Sequence, residues 1–206
     1  MSKISIRRLE IRFVKECAKL HIQGISAGFI SSLGLRFLTC LYKAILQHEK
    51  SFCLVAEENN EVLGFVAFTD DLKSLYKLAL RKYSLLFICA ISIKLLSPKI
   101  IKRIFQNLFY PSKAEKLNLP KAELLSVAVA LKAQGKGLAT QLVRIGFEEY
   151  RKRGIKQVKV LVASDNQSAN KLYKKCGFEL TAQVDSHSIL SNIYVKDLTK
   201  KDKYND

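Results

Sequence analysis

The sequence predicts a mixed α/β fold: a central sheet of about seven strands flanked by helices, with a helical insertion between strands three and four. Three observations carry the prediction. Short stretches at residues 4–9, 51–57, 62–70, 124–130, 157–163, 178–184 and 188–196 are rich in β-branched and apolar residues, several of them alternating with period two. Residues 11–25, 33–48 and 138–152 instead place apolar side chains at helical spacing, the last of them through Leu138, Leu142, Ile145 and Phe147. Finally, the run Gln134-Gly135-Lys136-Gly137-Leu138-Ala139 stands where a buried strand gives way to a helix. With 206 residues and 49% hydrophobic composition the chain can fill one core, so a single domain over 1–206 is expected.

Taken in order, residues 4–9 alternate as a first strand, and the N-terminus lacks the apolar run of a signal peptide, which points to a cytoplasmic protein. Two amphipathic helices follow around a small-residue loop at 24–32. Phe29 in that loop is either a substrate contact or a buried aromatic plug. Residues 51–57 and 62–70 form a hairpin turning through Glu58-Asn59-Asn60-Glu61.

Residues 71–111 then form the insertion. It carries Lys73, Lys77, Arg81, Lys82, Lys94, Lys99, Lys102 and Arg103 around an apolar run at 85–93, and Pro98 should divide it into two helices. The run is shorter than the roughly 20 residues of a membrane span. Such helices either pack over the acceptor site or lie on an anionic bilayer, and packing is favoured because solvated basic faces are the ordinary explanation of such charge.

The glycine run is read as a phosphate cradle. Without a Cβ at Gly135 and Gly137 the backbone can approach an anion, and the unpaired N–H groups and dipole of the following helix point at it. An ordinary glycine turn is the bland alternative. No Gly-Lys-Ser/Thr follows at P-loop spacing, and the dinucleotide fingerprint lacks its third glycine. Further on, 157–163 reads as a fifth strand and 168–176 as a short helix capped by Gly177.

Cys17, Cys40, Cys53, Cys89 and Cys176 are odd in number and scattered, with no pairing that suggests zinc, so no metal is expected. The formal charge of +17 suits an anionic partner without choosing among coenzyme A, a nucleotide sugar, an acidic lipid head group and nucleic acid. No nucleic-acid-binding module is visible, and none is predicted.

Gln134-x-x-Gly137-x-Ala139, followed by Asn166-Gln167-Ser168-Ala169-Asn170-Lys171-Leu172-Tyr173-Lys174-Lys175-Cys176-Gly177-Phe178, resembles the GNAT superfamily of acyl-CoA-dependent N-acyltransferases. The strong motifs fall within about residues 121–182, and the insertion departs from the minimal family pattern. The resemblance implies a mostly antiparallel sheet whose fourth and fifth strands splay apart, with acetyl-CoA as cosubstrate. Val127, Ala128 and Val129 would then pair with the pantetheine arm. Gln134, Gly135, Lys136, Gly137, Leu138, Ala139 and Thr140 would hold the pyrophosphate, with Asn166 also at the cofactor site.

Acyl transfer to an amine needs an acceptor for the amine proton and a donor for the leaving thiolate. Tyr173 matches the family tyrosine near the thioester sulfur, the alternative being core filler. Glu123 stands where several relatives place the general base, acting directly or through water, the alternative being a surface carboxylate. His187 is a further candidate base or a solvated loop histidine.

The expected function is direct acetyl transfer to a primary amine on a small molecule or glycan, namely an amino sugar on a nucleotide or lipid carrier. Protein N-terminal acetylation and a non-catalytic, CoA-binding or membrane-associated module are the alternatives, and peripheral contact with an anionic membrane stays open.

Overall fold

A computed structural model of the chain describes residues 4–25, 29–92, 118–186 and 189–200. The elements run β1 (Ser5–Arg8), a 3-10 turn (Ile11–Phe13), α1 (Val14–Gly24), α2 (Phe29–Ser32), α3 (Leu35–Gln47), β2 (Ser51–Glu58) and β3 (Glu61–Thr69). They continue through α4 (Leu72–Ser92), β4 (Glu123–Val129), a second 3-10 turn (Leu131–Ala133), α5 (Leu138–Lys152), β5 (Gln157–Ala163), α6 (Gln167–Lys175), β6 (Glu179–Ser186) and β7 (Ile189–Asp197). The seven strands form one sheet in the order β1-β2-β3-β4-β5-β7-β6. Only β4 and β5 are parallel; every other neighbouring pair is antiparallel.

Each face of the sheet has its own core. Leu138, Leu142, Phe147 and Tyr150 of α5 and Tyr173 of α6 pack on one face with Phe52, Phe68 and Leu124. On the other face, residues of α1, α3 and α4, among them Cys17, Leu38 and Leu75, pack with Cys53, Phe65 and Ala128. Strands β2 and β3 are therefore covered on both sides. They read as nearly continuous buried runs rather than the alternation expected of a hairpin with one solvated face. Their turn is built by Asn59 (φ 51°) and Asn60 (φ 64°), since asparagine tolerates the left-handed region that a two-residue hairpin turn demands.

The small-residue loop is interrupted by α2, which begins at Phe29. The insertion begins with α4, whose start is capped by Asp71 Oδ1 accepting from the Ser74 N–H at 3.0 Å. Leu72, Leu75 and Ala79 are buried in the core shared with α3, so the first half of the insertion is packed on the domain. The break within this helix falls at Tyr83 (φ −125°, ψ 19°). Pro98, with Lys94, Lys99, Lys102 and Arg103, lies outside the described residues.

Strand β4 sets the position of everything that follows. Thr69 pairs with Glu123 and Phe68 with Leu124, but Ala67 pairs with Ser126, so Leu125 is an extra residue in the strand, a β-bulge. Bulges bend and twist the strand that carries them. Beyond it β4 leaves β5: the two strands share one register pair, Glu123 with Lys159, and from there on β4 turns an unpaired backbone edge toward its neighbour.

Candidate active site

A cleft of about 700 Å³ fills the gap between β4 and β5. Val127, Ala128 and Val129 line it from one strand and Leu161, Val162 and Ala163 from the other, with Gly24 and Ile25 at the end of α1 on one flank. Gly24 lets that flank come close, since a Cβ on it would lie 2.9 Å from the Ala128 Cβ.

At the top of the cleft the chain leaves β4 through the 3-10 turn and enters α5. Gly135 and Gly137 both have φ 76°, so both need the left-handed conformation that an L side chain adopts at a cost of about 1 kcal/mol or more. A Cβ at either position would meet no protein atom within 4 Å; the glycines are required by backbone angle, and the space above them is open. The α5 ladder begins with the Gln141 N–H on the Gly137 carbonyl, which leaves the N–H groups of Leu138, Ala139 and Thr140 ahead of it. The first turn holds no acidic side chain to compete for them.

These features fit acetyl-CoA on structural grounds. The unpaired β4 edge offers amide groups to a pantetheine arm, and the helix terminus offers oriented N–H groups and a positive dipole end to a pyrophosphate. Gln134, Gly135, Gly137, Leu138, Ala139 and Asn166 line the cleft, whereas Lys136 and Thr140 are not among its lining residues. The Gln134 side chain is turned back, its Nε2 donating to the Val129 carbonyl at 3.0 Å, so this residue braces the loop. Asn166 serves as the N-cap of α6, its Oδ1 accepting from the Ala169 N–H at 3.1 Å, an interaction worth about 1 kcal/mol.

Tyr173 lines the same cleft from the second turn of α6. It is buried, with its ring edge-on to Phe178 at 5.6 Å between centroids. Burial raises its phenol pKa, so the hydroxyl is protonated at neutral pH and can act as a donor. Its helix is held by Asn170, a residue the motif contains but whose role the sequence did not reveal. Asn170 Nδ2 donates to the carbonyls of Ala163 and Asn166, and its Oδ1 accepts from Asn192 Nδ2 at 2.8 Å and Tyr194 Oη at 2.9 Å. One amide thereby joins β5, α6 and β7.

Glu123 is buried but lines a second cleft, of about 330 Å³, with Leu72, Ser74 and Lys77 of α4 and Pro120, Lys121 and Lys159. The structure does not place it in the cleft with Tyr173. Its Oε2 lies 3.3 Å from Lys159 Nζ but makes no hydrogen bond, while Lys159 Nζ donates to the carbonyls of Pro120 and Lys121. Burial pushes the Glu123 carboxyl pKa up, and the Lys159 ammonium partly offsets this. His187 lies outside the described residues, and the Phe29 side chain is likewise not described. Among the described residues no group of His, Cys, Asp and Glu could hold a metal ion, and no helix is long and apolar enough to cross a membrane.

Two buried polar side chains on the α1 and α3 side also reach toward the cleft. Tyr42 Oη lies 2.8 Å from His21 Nδ1 and 3.1 Å from Ser126 Oγ, and Ser126 lines the cleft immediately past the bulge. Burial lowers the His21 pKa to about 4, so the ring is neutral. Sequence reasoning missed this group: Ser126 stands within the apolar run Leu124-Leu125-Ser126-Val127, Tyr42 lies 84 positions away in the chain, and His21 a further 21.

Comparison with known proteins agrees with this geometry. Residues 103–178 match the model of the acetyltransferase (GNAT) family. A mycothiol acetyltransferase of Saccharomonospora viridis is 41% identical over 66 residues, which cover 32% of this chain and 21% of that protein, so the match spans about a fifth of the curated relative. Arabidopsis thaliana NAA60, solved with acetyl-CoA, superposes with a TM-score of 0.62 at 12% identity, covering 96% of this chain and 100% of the other. Salmonella typhimurium yncA, solved with acetyl-CoA, gives 0.61 at 19% identity, covering 97% and 96%. The family match falls on the segment that builds the cradle and α6, and the superpositions extend the likeness in fold to the whole sheet.

Proposed function

We propose that the protein transfers an acetyl group from acetyl-CoA directly to a primary amine in a ternary complex, the acceptor being an amino sugar on a nucleotide or lipid carrier. The observation that carries this reading is the unpaired edge of β4 running up to a glycine turn and a free helix N-terminus. Acetyl-CoA would supply the activated acyl group. Val127, Ala128 and Val129 would receive the pantetheine arm, and the turn from Gln134 to Thr140 the pyrophosphate.

Tyr173, kept protonated by burial, is suited to give its proton to the departing sulfur. Glu123 faces the neighbouring cleft, so it would take the amine proton through water, and its raised pKa suits a base. The formal charge of +17 would draw an anionic carrier. The relative named as a mycothiol acetyltransferase supports acetyl transfer as the activity.

The test is calorimetric titration with acetyl-CoA, followed by thiol release over a panel of amines: a nucleotide-linked amino sugar, a lipid-linked amino sugar and a peptide with a free α-amine. Turnover on the sugars is expected. Turnover on the peptide alone would make the protein an N-terminal acetyltransferase. Binding with no turnover on any amine would make it a non-catalytic CoA-binding module.

A further inference from the structure

Of the polar side chains along the main cleft, several are committed locally: Gln134 to the Val129 carbonyl, Asn166 to the Ala169 N–H, and Ser168 to Asn166 Oδ1. Ser126 is different. It is 7% exposed and stands at the end of a hydrogen-bonded chain that crosses the core, from His21 on α1 through Tyr42 on α3. The chain meets the cleft just beyond the Leu125 bulge, where β4 and β5 part, on the side walled by Gly24 and Ile25.

A chain of this kind has two self-consistent directions, and a neutral histidine at its end chooses between them. If Nδ1 accepts, Tyr42 donates to His21 and Ser126 donates to Tyr42, which leaves the Ser126 lone pairs toward the cleft. If Nδ1 carries the proton, every bond reverses and Ser126 presents a donor. Neutral imidazole favours the proton on Nε2, the first arrangement. An amine nucleophile arriving at this point brings N–H groups and needs an acceptor for one of them.

We propose that Ser126 contacts the substrate by accepting a hydrogen bond from the acceptor amine N–H, and that Tyr42 and His21 are positioning residues that hold its lone pairs toward the cleft. The inference rests on the acetyl-transfer reading above. It adds a residue that orients the nucleophile and leaves proton removal to Glu123.

The test combines kinetics, on the amine of the panel that the wild type acetylates fastest, with nitrogen-15 NMR of the histidine rings. Ser126→Ala should raise the KM for the amine by about 3- to 10-fold, the size of one lost hydrogen bond, and leave acetyl-CoA affinity unchanged. Tyr42→Phe should raise it in the same direction, and the double variant should be no worse than Ser126→Ala alone. The His21 Nδ1 signal should be that of an unprotonated nitrogen and should shift in Tyr42→Phe. An unchanged amine KM in an active Ser126→Ala enzyme, a loss of melting temperature alone, or a protonated His21 Nδ1 would overturn the proposal while leaving the acetyl-transfer reading intact. A wild type that binds acetyl-CoA but acetylates no amine would overturn both.

Discussion

Glu123 and Lys159 are at once the register pair at which β4 meets β5 and a buried ion pair, with side chains 9% and 5% exposed. The backbone contact and the charge contact therefore fall at the same point, the foot of the opening between the strands. Lys159→Met leaves the Glu123 carboxylate buried without its cation, so the variant should lose about 3 to 5 kcal/mol in urea denaturation. A loss below about 1 kcal/mol would mean that the pair does not anchor the two strands.

The same carboxyl should be visible in catalysis. Burial, only partly offset by Lys159, raises the Glu123 pKa, so the acidic limb of the pH-rate profile should lie above the ordinary glutamate range. Glu123→Gln should abolish that limb. A limb that persists unchanged in the variant would assign the proton acceptor to another group.

Gly137→Ala tests the cradle. Its φ of 76° makes any L side chain strained, at about 1 kcal/mol or more, although the added methyl meets no protein atom within 4 Å. Folding stability should therefore drop modestly, and acetyl-CoA affinity should drop as well in the folded protein. Calorimetry that shows wild-type affinity would remove the phosphate role of this turn.

Tyr173→Phe deletes one hydroxyl from a well-packed ring. Acetyl-CoA affinity should persist while kcat falls by about 100- to 10,000-fold, as loss of a general acid commonly does. Native turnover would show that the thiolate is protonated by something else.

His21 links stability to pH. Its folded pKa, about 4, is depressed from an ordinary 6.5, so below 6.5 the unfolded chain binds the extra proton more readily. The stability attached to the neutral ring is full above pH 6.5, falls as pH drops toward 4, and levels off below that, a change of about 3 kcal/mol. Urea midpoints measured between pH 7.5 and 4.5 should fall more steeply for the wild type than for His21→Gln; parallel slopes would count against a buried neutral imidazole.

The elements that sequence disclosed best are those whose signal is local. The fifth strand at 157–163 coincides with β5, and the glycine run lies at the start of α5, because β-branched alternation and backbone angle are properties of neighbouring residues. The cleft was legible only through resemblance, since nothing in residues 124–130 by themselves says that β4 leaves its partner. The Ser126, Tyr42 and His21 chain was not legible at all. It joins positions far apart in sequence through tertiary packing, and each residue alone reads as core filling. Glu123 was identified from its place before the cradle, but spacing along a strand does not say which cleft a side chain enters.

The bulge at Leu125 changes the parity of β4. Up to Leu124 the even-numbered residues face α5; from Val127 onward the odd-numbered ones do. Removing that one residue would leave Leu124, Ser126 and Val127 facing the cores they already face, in a strand now regular from end to end. What it would take away is the local bend and added twist that a bulge gives its strand, at the point where β4 parts from β5. Substitutions at position 125 that keep its bulk should therefore spare the opening, whereas deletion of that residue should straighten β4 and narrow the opening.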